Sequence, residues 1–206
     1  NLKIGNFTVA QIITERSGVT GEKMELADYA CLEAPVVDAY NHLGNKLSSL
    51  VAAEAGSEQE TVHGISMQVA AMSPIALDAD HVSEDVKKHE LEVAIEKTKQ
   101  DEINKAVENA LRKAGLNPAH CDSDDHIASN TAKGWLTEEQ AQVARDIRAK
   151  VPAEAEANLA AQAKKIEMIA QGRLGKFLKE NTLVEQAYIM SESKELVKDI
   201  LKAKGV

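Results

Sequence analysis

The sequence predicts an α+β protein, a small antiparallel sheet of about three strands covered by helices, with a long antiparallel helical hairpin projecting from it. Three observations carry that expectation. From Val82 to Ala114 runs a helical pattern of about thirty residues, roughly 45 Å of rod at 1.5 Å per residue. From Ala153 to Asn181 a second long run keeps a nearly heptad apolar spacing through Leu159, Ala163, Ile166, Ala170, Leu174 and Phe177. Between Lys23 and Val51 the chain changes to short runs rich in Leu, Val, Tyr and Ala, divided by Pro35 and by Leu43-Gly44-Asn45, which is the pattern of strands. Aromatic residues make up only 3% of the chain, so the core is aliphatic and alanine-rich, a composition that suits close-packed helices.

In chain order, Thr8 and Gln11 form a capping box ahead of Val9, Ile12 and Ile13, and Ser17-Gly18 is expected to end a short helix. The runs MELADYACLEA, VVDAYNH and KLSSLVAA are the three expected strands. Ser57 to Glu60 supply a second capping box, and Val62, Ile65, Val69 and Met72 a helical stripe that ends at Pro74 and covers one sheet face. The first rod has Ser83 as N-cap, Glu84 and Asp85 at its dipole-positive end, Arg112 and Lys113 at the other, then Gly115 and Pro118. Its apolar face collects Val82, Val86, Val93, Ile103, Val107, Leu111 and Ala114. Leu116 to Leu136 has the composition of a loop. Thr137 and Gln140 cap a helix through Val143, Ile147 and Val151, and Pro152 is expected in the first turn of the next helix. Asn181 to Met190 should be extended, with Ser191 or Ser193 capping a last helix through Leu196, Ile200 and Leu201. The expected divisions are a core subdomain at 1–81, a helical arm with an insertion at 82–181, and a C-terminal module at 182–206 that is cut short. A chain that starts at Asn1 and stops at Val206 is expected to be a fragment.

Charge and composition exclude several function classes. A net charge of −9 argues against direct binding to nucleic acid or to an anionic membrane, both of which need a basic surface. No Lys or Arg falls between Lys46 and Lys87, where Glu54, Glu58, Glu60, Asp78, Asp80, Glu84 and Asp85 make either a solvated face or an edge for a basic partner. No apolar run approaches membrane-spanning length, and Cys31 and Cys121 lack the spacing of a metal site and fit a reducing compartment, so a cytoplasmic protein is expected.

The chemistry-bearing residues are few. His120, Cys121, Asp122, Asp124, Asp125 and His126 bring soft and hard metal ligands together but without paired spacing, so a polar loop at the tip of the arm is the preferred reading and no metal is expected. No phosphate loop, dinucleotide fingerprint or nucleophile elbow is present, and His42, His63, His81 and His89 are each read as surface or helix-face residues, so neither a cofactor nor a catalytic residue is expected. From the residues alone, the chain is an α+β interaction module with a helical hairpin.

Four segments in order, AYNHLGNKLSSLVAAEA (39–55), VHGISMQVAAMSPIAL (62–77), VSEDVKKHELEVAIEKTKQ (82–100) and GRLGKFLKENTLVEQAYIM (172–190), resemble successive segments of bacterial elongation factor Ts. The stretch from Leu116 to Lys150 resembles an insertion of a lineage with an enlarged arm. The resemblance implies a guanine-nucleotide exchange factor that promotes GDP release from elongation factor Tu without covalent chemistry, and therefore not an enzyme. The family's Thr-Asp-Phe motif and N-terminal three-helix module do not occur in these 206 residues. What is present resembles the half that grips domain 3 of elongation factor Tu, with an arm that dimerises in some members. The resemblance carries partner contact to His42, in the Tyr-x-His turn, and to Ile189 and Met190 after Gln186-Ala187-Tyr188. In sequence, a buried strand end and an exposed apolar anchor look alike, so Ile189 and Met190 fit either. The alternative function is a dimerising adaptor unrelated to translation.

Two consequences are open to test. The rods at 82–114 and 153–181 should pair antiparallel, with Val93, Ile103, Val107 and Leu111 facing Leu159, Ala163, Ile166 and Ala170, each such side chain contributing about 1.5 to 3 kcal/mol on burial. A chain that grips without the wedging motif should bind its partner without accelerating nucleotide release.

Overall fold

The computed structural model describes residues 3–44 and 46–205. The chain divides into two compact units, one of residues 1–70 with 204–206 and one of residues 71–203. The architecture is α+β, with seven α-helices and two small antiparallel sheets of two strands each among the described residues.

In the first unit, β1 (Lys3–Ile4) pairs with β2 (Phe7–Thr8), and α1 (Val9–Thr20) follows. Thr8 and Gln11 close the expected capping box. The helix runs two residues past Gly18 and ends at Gly21, whose φ of 71° is the left-handed value that glycine takes without strain. None of its residues is fully buried, and Val9, Ile12 and Ile13 are half-buried.

Strands β3 (Val36–His42) and β4 (Leu47–Ala53) form an antiparallel hairpin with Val36 opposite Ala53 and His42 opposite Leu47. Its turn matches the expected Leu43-Gly44 break, and Asn45 lies outside the described residues. The expected strand at MELADYACLEA is absent; residues 22–34 have no regular structure. That run carries Glu25, Asp28 and Glu33 among its apolar residues, and Met24, Leu26, Tyr29 and Leu32 are all exposed, so no covered face holds it in a ladder. Along β3 and β4 the side chains alternate. Val36, Asp38, Tyr40, Ser49, Val51 and Ala53 share the more covered face, while Val37 and Leu50 stay exposed on the other. Helix α2 (Gln59–Met72) buries Val62 and Ile65, and the buried Ser49 hydroxyl donates to the Ser66 carbonyl at 2.7 Å, tying helix to sheet.

The second unit is built on α3 (Glu84–Lys113), capped by Ser83, with Glu84 and Asp85 in the first turn and Arg112 and Lys113 in the last, as expected. It packs along both α5 (Glu138–Ala157) and α6 (Ala163–Asn181). Ion pairs join Lys165 to Glu102 at 2.6 Å and Arg173 to Asp101. The buried residues of this stretch are Ala94 and Thr98 on α3 and Ile166 and Ala170 on α6. Small side chains let two helices approach closely. Val93, expected in the seam, is instead 48% exposed, and Val86, expected on the same apolar face, is 39% exposed. At these two positions the expected face turns outward, because the close approach to α6 is made at Ala94 and Thr98, while Val82 and Leu111 of the same face are buried.

Toward its C-terminus α3 turns Val107 and Leu111 to a different partner from the one expected. They pack with Leu116, Cys121, Ile127, Leu136, Ala141 and Ala144, which form the hydrophobic cluster of this end. The interlude from Leu116 to Leu136 is therefore not a loop but holds a 3-10 turn (Pro118–His120) and α4 (Asp124–Ala132), capped by Ser123. Its apolar residues follow no helical period, so only three-dimensional convergence makes them a core.

Pro152 also departs from expectation, lying inside α5 rather than at the start of a new helix. Proline removes one backbone N–H, and packing of the helix along α3 carries the remaining ladder through that position. The break comes later, at Asn158 and the 3-10 turn Ala160–Gln162, so the second rod is α6 alone and Leu159 lies in the break. The expected antiparallel pairing holds between α3 and α6, with Ile95, Ile103, Leu159, Ala163, Ile166 and Pro152 around an open hollow of about 750 Å³ beside the break. At the other end of α6, Ile75 N–H donates to Asn181 O at 2.9 Å, and Leu183 and Val184 N–H donate to Ala76 and Leu77 O.

Candidate functional site

The sequence points to three places: His42, the pair Ile189 and Met190, and the polar stretch from His120 to His126. His42 is the last residue of β3. Its Nδ1 lies 2.9 Å from the Tyr40 hydroxyl, with ring centroids 5.9 Å apart, so a strand neighbour two residues back orients the imidazole. Next to it is a polar set that sequence reasoning missed. His63 on α2 meets the Asp38 carboxylate at 3.1 Å, Gln59 Nε2 donates to the same carboxylate at 3.2 Å, and the His63 ring stands edge-on to Tyr40 at 5.9 Å. Burial raises the Asp38 pKa, but hydrogen bonds from Ser66, His63 and Gln59 outweigh it and hold the carboxyl below its usual value. The available signal was an aspartate at a position of β3 that alternation turns inward.

Ile189 and Met190 lie in the second unit, on a turn rather than on the extended strand expected for Asn181 to Met190. That segment contains a 3-10 turn (Leu183–Glu185), because the Gln186 N–H folds back to Leu183 O. The chain then makes a short hairpin: Tyr188 N–H donates to Glu195 O at 2.8 Å, Val197 N–H to Gln186 O at 2.9 Å, and Ala187 bridges Leu196. Ser191 and Ser193 do not cap α7 (Val197–Lys204). Both hydroxyls donate to the Glu195 carboxylate, at 3.1 and 3.0 Å, and so close the loop. Lys198 and Glu185 pair at 2.8 Å across the base of this hairpin, which raises the lysine pKa. On the resulting platform Ile189 is 42% and Met190 60% exposed, and the Tyr188 hydroxyl donates to the Met190 sulfur at 3.4 Å.

From His120 to His126 the candidate metal ligands separate. The Cys121 side chain is fully buried in the hydrophobic cluster, and burial pushes its thiol pKa up. Asp122 and His126 pair with each other on the outside, and chiefly that hydrogen bond holds the Asp122 carboxyl below its ordinary value. Among the described residues no group of three or more His, Cys, Asp or Glu is arranged to hold a metal ion. The Cys31 and Cys121 thiols are both free. No helix among the described residues is long and apolar enough to cross a membrane.

Comparison with known proteins agrees with the ordered motifs. The family model described as elongation factor TS matches residues 1–206. Elongation factor Ts of Bacteroides fragilis is 51% identical over 202 residues, which cover 98% of this chain and 60% of the relative. The Phocaeicola vulgatus protein of the same name is 50% identical over 201 residues, with the same coverage of both chains. A more distant relative, elongation factor Ts of Flavobacterium psychrophilum, is 30% identical over 189 residues, covering 91% of this chain and 48% of its own. The chain thus spans about 60% of the length of the Bacteroides fragilis and Phocaeicola vulgatus relatives. A match to the family model along the whole length, with half of all residues identical to named members, sets aside the unrelated adaptor: the chain belongs to the elongation factor Ts family.

Proposed function

We propose that this chain is the part of a guanine-nucleotide exchange factor that holds elongation factor Tu in its GDP form, gripping domain 3, in the cytoplasm and without covalent chemistry. His42, Ile189 and Met190 make the contact in this reading. The observation that carries it is the exposure of Ile189 and Met190 on a hydrogen-bonded turn. Two exposed apolar side chains on a fixed platform desolvate on docking with little loss of backbone entropy, and methionine adapts its shape to the surface it meets. His42, oriented by Tyr40, adds a directional polar contact.

Holding and exchanging are separable. Only interactions that favour the nucleotide-free state over the GDP-bound state accelerate release, and these 206 residues contain no Thr-Asp-Phe wedge. The chain is therefore expected to bind elongation factor Tu weakly and to leave GDP release near the intrinsic rate. Release of a fluorescent GDP analogue, with and without the chain, tests this; strong acceleration would reject the division of roles. In the same reading a second copy of the chain associates through the helical arm, and sedimentation equilibrium of the chain alone would reject that association by returning a monomer at every concentration.

A further inference from the structure

At the end of α3 where the hydrophobic cluster forms, the single tryptophan of the chain stands outside the core. Trp135 is 61% exposed, whereas Leu136, the next residue, is 6% exposed and belongs to the cluster. The exposure is fixed by the backbone. Helix α4 ends through Gly134 at φ 74°, and the N–H groups of Trp135 and Leu136 both donate to Asn130 O, at 2.9 and 3.2 Å. Asn130 is itself buried, and its side-chain amide donates to His120 O at 3.0 Å, so one residue fixes both the tryptophan turn and the His120 turn. The two rings lie 5.3 Å apart at an angle of 34°, and Lys133 Nζ sits 5.3 Å from the tryptophan ring centre.

We propose that Trp135, with His120 beside it, anchors a docking surface for a protein segment that presents arginine. Tryptophan is the side chain most enriched among residues that dominate interface energies, and one already held in place loses little entropy on binding. The indole face attracts a cation, as the position of Lys133 shows within the chain itself, and a guanidinium stacks on it better than an ammonium does. Charge selects the same partner. Between Asn117 and Glu139 the carboxylates are Asp122, Asp124, Asp125, Glu138 and Glu139, all exposed, against Lys133 as the one lysine or arginine in that segment. Asp122 is paired with His126, and the nearby Arg148 is engaged by the Cys121 carbonyl at 3.2 Å. Such an excess of exposed carboxylates in the segment that carries Trp135 favours a basic partner and repels the phosphates of a nucleic acid. The inference concerns residues other than His42, Ile189 and Met190, and its test contains no elongation factor Tu, so the two readings fail separately.

The test is fluorescence anisotropy of a short dye-labelled peptide rich in arginine and leucine, titrated with the whole chain, alongside its lysine counterpart and a single-stranded RNA oligonucleotide. The expected result is saturable binding of the arginine peptide, tighter than the lysine peptide, with no binding of the RNA. Trp135→Ala should weaken it about tenfold at unchanged thermal stability. Trp135→Phe should retain part of the binding. Lys133→Ala should strengthen binding, because it uncovers the ring and removes a like charge; an anionic partner would respond in the opposite direction. Equal affinity of parent and Trp135→Ala, equal affinity for arginine and lysine peptides, or preference for the RNA would each overturn the proposal.

Discussion

At the C-terminal end of α3, seven buried side chains from α3, the residues flanking the 3-10 turn, α4, the loop before α5 and α5 itself close a core in which Cys121, Ile127, Ala141 and Ala144 are fully covered. Along the α3 and α6 pairing, the buried residues are Ala94, Thr98, Ile166 and Ala170, flanked by the Glu102–Lys165 and Asp101–Arg173 ion pairs and by the open hollow at the break before α6. The first region is held by apolar volume, the second by close approach of small residues with charged flanks. The difference teaches that a long helix can belong to two packing systems along its length. The stability of each region therefore responds to a different kind of substitution.

The largest effect should come from removing volume at the end of α3. Ile127→Ala is expected to lower unfolding free energy by about 2 to 5 kcal/mol, since the transfer loss is joined by a cavity that surrounding helices only partly refill; urea denaturation measures it. Val107→Asp should also be costly, because it places a charge against the same cluster rather than against α6. In the pairing of α3 with α6 the damaging change is the opposite one, enlargement. Ala170→Leu should cost about 1 to 3 kcal/mol by forcing the helices apart, whereas Val93→Ala, at an exposed position, should stay near zero. A tolerated Ala170→Leu would mean that the helices do not approach at that point.

Smaller effects separate the charged contacts. Lys165→Ala removes a partly exposed ion pair and should change stability by less than about 1 kcal/mol, diminishing further in high salt. At the other end, Asp122 carries a pH dependence whose sign follows from its lowered pKa. Its contribution is present above the unfolded carboxyl value of about 3.9 and is lost as pH falls through the lower folded value. Asp122→Asn should therefore flatten the acid side of the stability profile, as urea denaturation across that pH range would measure. The last change concerns binding rather than folding. Met190→Asp should weaken the proposed association with elongation factor Tu at unchanged thermal stability, because Met190 is 60% exposed and the new charge would have to be desolvated only on docking.

How much was legible follows the reach of each interaction. The capping boxes at Thr8 and Gln11 and at Thr137 and Gln140 were readable because cap and helix lie within four residues. The same holds for Ser83 and for the charged ends of α3. Helix α4 was hidden because Ser123, Asp124 and Asp125 make both a good helix start and a polar loop, and because Leu116, Cys121, Ile127 and Leu136 have no common spacing. At the candidate site, the motif around His42, with Tyr40 two residues before it on the same strand, was visible in sequence, but the neighbouring set of Asp38, Gln59 and His63 required α2 to lie against the hairpin.

By itself the sequence determined the class of fold, the length and ends of α3, and, through four ordered segments, the family. Each of these depends on residue order and on contacts within a few residues. Only the tertiary structure decided that Pro152 stays inside α5, that the stretch after Gly115 builds a core, and that Val93, Trp135, Ile189 and Met190 are exposed while Ala94, Thr98 and Cys121 are buried. The physical reason is that burial belongs to the partner as much as to the residue. Leucine, cysteine or tryptophan gains by leaving water wherever a surface is offered, and surfaces contributed by residues 30 or 70 positions away leave no period in the local sequence.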